Sequence, residues 1–302
     1  MPVNLSSIRD LLLPGLRDVT GEYPQIPTQW PKVFRSAKSK MALERTVEMR
    51  YLALAQLKTE GAATSFDNSA GERLVYNQEH NELGLGYAIT RKAVDDNLYK
   101  TQFRPANLGL QRSFAQTKEI MAANVLNTAN VFNAAIQADG VALCSTAHPI
   151  DVGTVQNRPT TDIDLNEAAL QSALINIRQF RDQAGLKIMA RGRKVIVPIQ
   201  LEYVIARLLK TELRPGTSDN DVNATIITGG VPDGYVVMDF LTSVYAWFVL
   251  SDIPGLLHLE RVPFEMDMWV DELTDNLMVK GYERYSFGFD NYRCIWGTFP
   301  TS

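Results

Sequence analysis

The spacing of apolar and polar positions divides the chain into a small set of readable elements. The clearest runs from Asn107 to Ile136, where Leu110, Phe114, Met121, Val125, Phe132 and Ile136 recur four to seven residues apart, with Thr117 and Thr128 on the same stripe. That period predicts a helix of about 45 Å at ~1.5 Å per residue, ended by Asp139-Gly140. A shorter helix, RKAVDDNLY, is predicted just before it, capped by Thr90 and broken by Pro105. A further helix is predicted over 165–184, with Asp164 and Glu167 as a capping box and Gly185 as its stop. Leu170, Leu174, Ile177 and Phe180/Arg181 form its inward face. Pro198 then opens another, IQLEYVIARLLKTEL.

Strand patterns fill much of the rest. LGLGYAI, residues 83–89, alternates Leu83, Leu85, Tyr87 and Ile89 with Gly84, Gly86 and Ala88. One face is then large and apolar and the other nearly bare backbone, which predicts a close approach by another backbone, within a tight sheet or from a neighbouring molecule. KVIVP reads as a buried strand; YVVMDFL, AWFVLS and the aromatic-rich C-terminal segments read as further strands. Residues 41–57 fit a helical stripe at first and an alternating strand later, so the expectation is helix early and strand late. The following stretch, KTEGAATSFDNSAGERLV, has the Gly, Ala, Ser and Asn content of a loop tip.

Residues 1–40 read as an arm. Pro2, Pro14, Pro24, Pro27 and Pro31 interrupt regular pairing, and only Ile8–Leu13 fits a short helix. Such a segment cannot bury its own Leu residues, Tyr23, Trp30 and Phe34; it must lie on its own body or on a neighbour. The chain as a whole, 302 residues with 45% hydrophobic content, is ample for a large core. A net charge of −4 with no basic stripe argues against nucleic-acid binding as the main task. Two cysteines make no disulfide framework, which points to a reducing compartment. The N-terminus lacks a signal-peptide pattern, and apolar runs such as VYAWFVL are too short to cross a bilayer.

One short stretch concentrates reactive side chains. GVALCSTAHPIDVG, residues 140–153, sets Cys144 four residues before His148. A thiol nucleophile needs a base, a group that orients that base, and an oxyanion hole. No signature of these surrounds Cys144, so a small buried side chain at a strand edge is the better reading. Cys144, His148, His258 and Cys294 form no zinc pattern, because only one of the two pairs is closely spaced. GLGYAIT and GRKVIVP match no phosphate-binding turn. Asp95-Asp96, DNDVN at 219–223 and DELTD at 271–275 lack calcium-loop spacing and read as solvated carboxylates.

Five segments in order resemble the major capsid protein of tailed bacteriophages, with the Hong Kong 97-type fold, and are nearest to Mu-like major head subunits. They are TEG with LVYNQEHNELGLGYAITRKAVDDNLY, then GVALCSTAHP, KVIVPIQLEYVIARLL, GYVVMDFLTSVYAWFVL and YERYSFGFDNYRCIWG, across residues 55–297. The resemblance implies an α+β fold in which 1–40 is the N-terminal arm and 41–92 the extended loop. It implies a peripheral domain from 93–160 and 265–302, with a long spine helix, and an axial domain from 161–264. It also implies a non-enzymatic subunit that self-assembles into hexamers and pentamers of an icosahedral head around double-stranded DNA. The chain would then reside in the virion and assemble in the host cytoplasm, with no cofactor and no membrane. Scaffolding, portal and decoration proteins would be partners, and packaged DNA a weak, non-specific one. Contacts between subunits would fall on Trp30 and Phe34 of the arm, on Lys58, Glu60, Phe66, Asp67 and Arg73 of the loop, and on Leu83 and Tyr87 of its returning strand.

The segments depart from the family's pattern in three places. Cys144 stands where a larger apolar residue such as Phe is common, and Arg191-Gly192 where a Pro-containing turn is. About 40 residues before the loop leave no room for a scaffolding domain of the usual length, so a separate scaffold or a removed prosequence is expected. Lys58 lies near the position of a crosslinking Lys in some relatives, without a motif that supports crosslinking. The alternatives are an encapsulin-like shell and, from a different class, a thiol hydrolase using Cys144 and His148.

Overall fold

The computed structural model describes residues 27–95, 99–211 and 222–301. The expected helix at Ile8–Leu13, the prolines before Pro27, Tyr23 and Asp96 lie outside these residues, as does most of the DNDVN stretch.

Strands β1 (Arg35–Lys38), β2 (Leu43–Arg50), β3 (Gly71–Glu79) and β4 (Asn81–Ile89) come first. Helices α1 (Arg91–Asp95) and α2 (Tyr99–Asn127) follow, then short strands β5 (Gln137–Ala138), β6 (His148–Ile150) and β7 (Gly153–Val155). The second half holds α3 (Glu167–Arg178), β8 (Gly192–Val197), α4 (Glu202–Lys210), α5 (Ala224–Ile227), β9 (Tyr235–Val237) and β10 (Trp247–Ser251). The chain closes with β11 (Leu256–Val270), β12 (Leu277–Phe289) and β13 (Ile295–Thr298).

Two four-stranded sheets carry the fold, ordered β1-β11-β12-β4 and β13-β10-β8-β9. Strand β11 shows why its sequence makes a sheet with one buried side. From Arg261 to Trp269 the odd positions Arg261, Pro263, Glu265, Asp267 and Trp269 are exposed, while Val262, Phe264, Met266 and Met268 turn inward. Pro263 donates no hydrogen bond, and the β11–β12 register shifts on either side of Val262, as a proline inside a strand requires.

Helix α2 joins two cores. Its first half places Leu110 and Phe114 against Ile89, Met268, Leu277 and Val279. Its second half places Ala122, Ala123 and Leu126 in the large core, which also holds α3, β8, β10 and β13. At 29 residues it is roughly 43 Å long.

Several expectations are corrected. Residues 43–50 are strand from the start, because pairing with β3 overrides the weak helical stripe. Pro105 lies within α2 and does not break it; the loss of one N–H near the start is tolerated by a long packed helix. The same helix stops at Asn127, not at Ile136. There Asn127 turns its side chain to Phe240 O (3.2 Å) and Thr242 N (3.0 Å), and Thr128 bonds back to Asn124 O (2.7 Å). Side chains that bond the backbone this way compete with helix propagation. The cap of α3 is Asn166, which accepts from Ala169 N at 2.8 Å, in place of the Asp164–Glu167 box. That helix ends at Arg178, so Gly185, at φ +86, shapes a later turn.

The glycine pattern of β4 separates into two cases. A Cβ on Gly86 would meet Val279 O at 2.7 Å on β12, whereas a Cβ on Gly84 would meet nothing within 4 Å. The close backbone approach is therefore internal to the sheet and confined to one glycine. Gly86→Ala is expected to cost about 1–3 kcal/mol through overpacking. Gly84→Ala is expected to be neutral or to stabilise by up to ~1 kcal/mol. Urea denaturation of the two variants measures the contrast.

Candidate assembly surface and the Cys144–His148 region

Strands β2 and β3 form a hairpin whose arms pair from Leu43↔Glu79 to Arg50↔Gly71. Beyond Arg50 the pairing stops, and residues 51–70 carry no regular strand or helix apart from a turn at 60–61. This excursion is apolar on the outside. Met41, Leu43, Met49, Tyr51, Leu52, Leu54, Leu57 and Phe66 are all exposed, Leu57 completely and Phe66 at 87%. A patch of this density needs a partner surface.

Polar side chains fix the hairpin to the body at its base. Glu48 on β2 accepts from Arg293 Nη1 at 2.7 Å, and Arg293 also donates to Arg181 O at 2.6 Å. Asp151, in the β6–β7 turn, takes Arg50 from β2 and Arg73 from β3, the latter at 2.9 Å. Higher up, Asp67 ties the two sides of the tip, accepting from Ala53 N (2.8 Å) and Ser69 N (2.9 Å). The Ser69 hydroxyl bond is the main reason the Asp67 carboxyl is lowered to about 2. Asp67 thus acts within the loop, while Lys58, Glu60, Phe66 and Arg73 remain exposed.

The arm residues are placed differently. Trp30 packs on His258 and Phe287, with ring centroids 4.3 and 5.4 Å apart, and Phe34 packs edge-on to Phe287 at 5.1 Å. Glu119 on α2 accepts the N–H groups of Gln29 (2.5 Å) and Trp30 (3.1 Å). Strand β1 pairs in parallel with β11, from Arg35↔Leu257 to Lys38↔Glu260. Phe34, at 3% exposure, has spent its surface inside its own subunit. Leu83 and Tyr87 are half-buried against the small core, and Tyr87 Oη donates to Asn107 Oδ1 at 2.6 Å.

Cys144 and His148 do not form a nucleophile and base. His148 is fully buried; its Nδ1 bonds Asp139 Oδ2 at 2.5 Å and its Nε2 bonds Asn157 Oδ1 at 3.0 Å. The ring stacks on Tyr292 at 3.8 Å. Both ring nitrogens are occupied, so no base is left for the thiol. Burial pushes the Cys144 thiol far above its ordinary range, away from the thiolate a nucleophile requires. Among the described residues no group of three or more His, Cys, Asp and Glu could hold a metal ion.

What His148 serves is Asn157, which the pattern reading passed over as part of a loop. The Asn157 amide nitrogen faces Leu143 O (2.7 Å), Tyr292 O (3.0 Å) and Ile295 O (3.1 Å), and Oδ1 accepts from Ser145 N (2.8 Å). With three carbonyls on the nitrogen side, the amide orientation is forced, and His148 Nε2 must donate. Asp139 reaches His148 from a turn in which Gln137 and Ala138 both take positive φ, +67° and +46°. This is a strained route for residues other than glycine.

Asn157→Ala is expected to lower stability by about 3–5 kcal/mol, since it leaves buried carbonyls unpaired. Cys144→Ala is expected to cost only about 1–2 kcal/mol. Native protein should resist iodoacetamide at Cys144 at pH 8 and react in urea, with alkylation followed by peptide mass spectrometry.

The family model described as phage capsid protein matches residues 81–297. No curated protein matches the chain. Solved structures share its fold. A virus-like particle from Pyrococcus furiosus matches at TM-score 0.57 and 9% identity, over 94% of this chain and 97% of the other. The capsid of an empty GTA particle matches at 0.57 and 12%, over 91% and 90%. The mature capsid of bacteriophage PhiM1 matches at 0.56 and 13%, over 91% and 88%. The matched family model spans most of the chain, from the start of β4 into β13, and the chain belongs to the phage capsid protein family.

Proposed function

We propose that this major capsid subunit builds hexamers and pentamers of an icosahedral head by laying its β2–β3 excursion across a neighbouring subunit. The observation that carries this reading is the apolar exterior of residues 41–66, which stays exposed among the described residues. The base of the excursion is fixed by Glu48–Arg293 and by Asp151 with Arg50 and Arg73, while its tip is free to be shaped by what it meets. Lys58, Glu60, Phe66 and Arg73 are the loop residues offered to the neighbour. In this reading α2 is the spine helix of a peripheral domain, and the sheet of β8, β9, β10 and β13 belongs to the axial domain. On the quoted segments the subunit resembles Mu-like head subunits. Scaffolding, portal and decoration proteins and packaged DNA are the partners that such a head requires.

An encapsulin-like shell that stores a protein cargo is a second reading; the fold is shared with a virus-like particle from Pyrococcus furiosus as well as with phage capsids. Nucleic-acid content of purified particles separates the two: DNA-filled heads support the first reading, protein-filled shells the second.

Deleting residues 62–71 is expected to leave the thermal transition of the body within about 5 °C of the parent and to abolish assembly. Electron microscopy of the parent chain should show capsomers, shells or tubes. A parent chain that stays strictly monomeric at high concentration overturns the proposal, and a deletion that unfolds the body overturns the loop assignment.

A further inference from the structure

We propose that the arm segment Ser36–Ser39 is an acid-releasable strap, held on the body of its own subunit by His80 and His258 in their neutral forms. The chain has three histidines, and two of them bind serines of this one segment. Ser36 Oγ lies 3.0 Å from His258 Nδ1, and Ser39 Oγ lies 2.7 Å from His80 Nε2. His80, His258 and Ser39 are all buried. The third histidine, His148, faces a carboxylate and an amide and plays no part in the arm.

The hydrogen-bond directions place a proton on His80 Nε2, and the surroundings of the ring disfavour a second. Ser39 Oγ is 2.6 Å from Glu44 Oε1, an acceptor, so its proton goes there and it must accept from His80 Nε2–H. His80 Nδ1 is then the unprotonated nitrogen, facing the Ser286 hydroxyl at 3.1 Å. A second proton would remove that acceptor and set a cation among Arg261 of β11 and Arg284 of β12, with Glu44 of β2 the one opposing charge. Burial and the two arginines outweigh Glu44, and the His80 pKa is lowered.

His258 is enclosed by Trp30 of the arm and by Tyr285 and Phe287 of β12. Its Nε2 is buried without a partner. The charged groups near it are Lys118 of α2 and Glu283 of β12, which are bonded to each other. Burial first, and Lys118 second, lower it to about 3.

A lowered histidine binds its proton better once the arm is detached. The strap is therefore at full strength above about pH 6.5 and weakens as pH falls toward the docked values. His258 alone shifts the balance toward release about 30-fold between pH 7.5 and 5.0. Two carboxyls work against release: Glu119, which holds Gln29 and Trp30, and Asp290, which faces Arg35, are both raised by burial. Glu44 is lowered, chiefly by Ser39, and adds to release in more acidic solution. His80 adds to the His258 shift and the two carboxyls oppose it, with loosening the expected direction at pH 5.0.

Hydrogen exchange of the intact chain at pH 7.5 and 5.0, corrected for intrinsic rate, tests the strap. Protection of peptides covering 33–40 should fall, on the scale of the about 30-fold that His258 alone gives, while that of β10 stays constant. In the His80→Gln, His258→Asn double variant, which keeps a donor for each serine but no titratable ring, the fall should vanish; in His148→Gln it should persist. Equal protection at both pH values, or an undiminished fall in the double variant, overturns the proposal. Should the double variant not fold, exchange at the histidine C2 positions of the parent chain decides. Half-titration of His80 and His258 below the ordinary histidine value, together with arm loosening, supports the strap; ordinary titration with a protected arm overturns it.

Discussion

The buried amide of Asn157 is the constraint on which the body of this protein depends. It closes the carbonyls of Leu143, Tyr292 and Ile295 with one side chain, and so joins the segment after α2 to the last strand of the chain. A buried carbonyl without a partner costs more than a typical hydrogen bond returns, which makes this amide hard to replace. His148 and Asp139 follow from it. The histidine completes the Asn157 oxygen, and the turn at Gln137–Ala138 accepts an unfavourable backbone to bring Asp139 within reach. Sites that look reactive in one dimension are thus consumed as scaffolding in three.

Much of this architecture was legible in the sequence, and the failures have identifiable causes. Periodicity located α2 and α3, which each bury one face, and alternation located β4; continuous apolar runs located β8 and β10, which are buried on both sides. Periodicity misplaced ends, since Asn166 acts through a local side-chain bond and Asn127 through bonds to Phe240 and Thr242, and neither kind carries a periodic signal. Residues 43–50 were ambiguous because their inward positions are few and their pairing partner lies across a loop of twenty residues, 51–70. The candidate surface was partly readable: the exposed Phe66 and Lys58 follow from a loop with no core of its own. Asp67 did not, as its partners Ala53 and Ser69 depend on how the tip folds back. Asn157 was visible only as a polar residue in a loop; nothing in its neighbours along the chain announces three carbonyl partners more than ten residues away.

Arm and loop were expected to share one problem, apolar residues with nowhere to go, and the structure solves it differently for each. From Trp30 onward the arm is satisfied within the subunit, through Glu119, the aromatic rings around His258 and pairing with β11. The β2–β3 excursion is satisfied only at its base. One molecule therefore holds a segment that is docked yet titratable and another that stays uncovered among the described residues, and the two meet at Ser39, His80 and Glu44.

The parallel pairing of β1 with β11 also sets an order of events at the ribosome. Ser36 and His258 are 222 residues apart. At ~5–20 residues per second, the arm emerges about 10–45 s before the strand that receives it. Through that interval Trp30 and Phe34 have no docking site, and Asn157 is completed later still, once Tyr292 and Ile295, 135 and 138 residues further along, have emerged. A nascent or truncated chain consequently lacks both its strap and its closing strand, so translation to the C-terminus is itself the checkpoint that admits a subunit to its final shape.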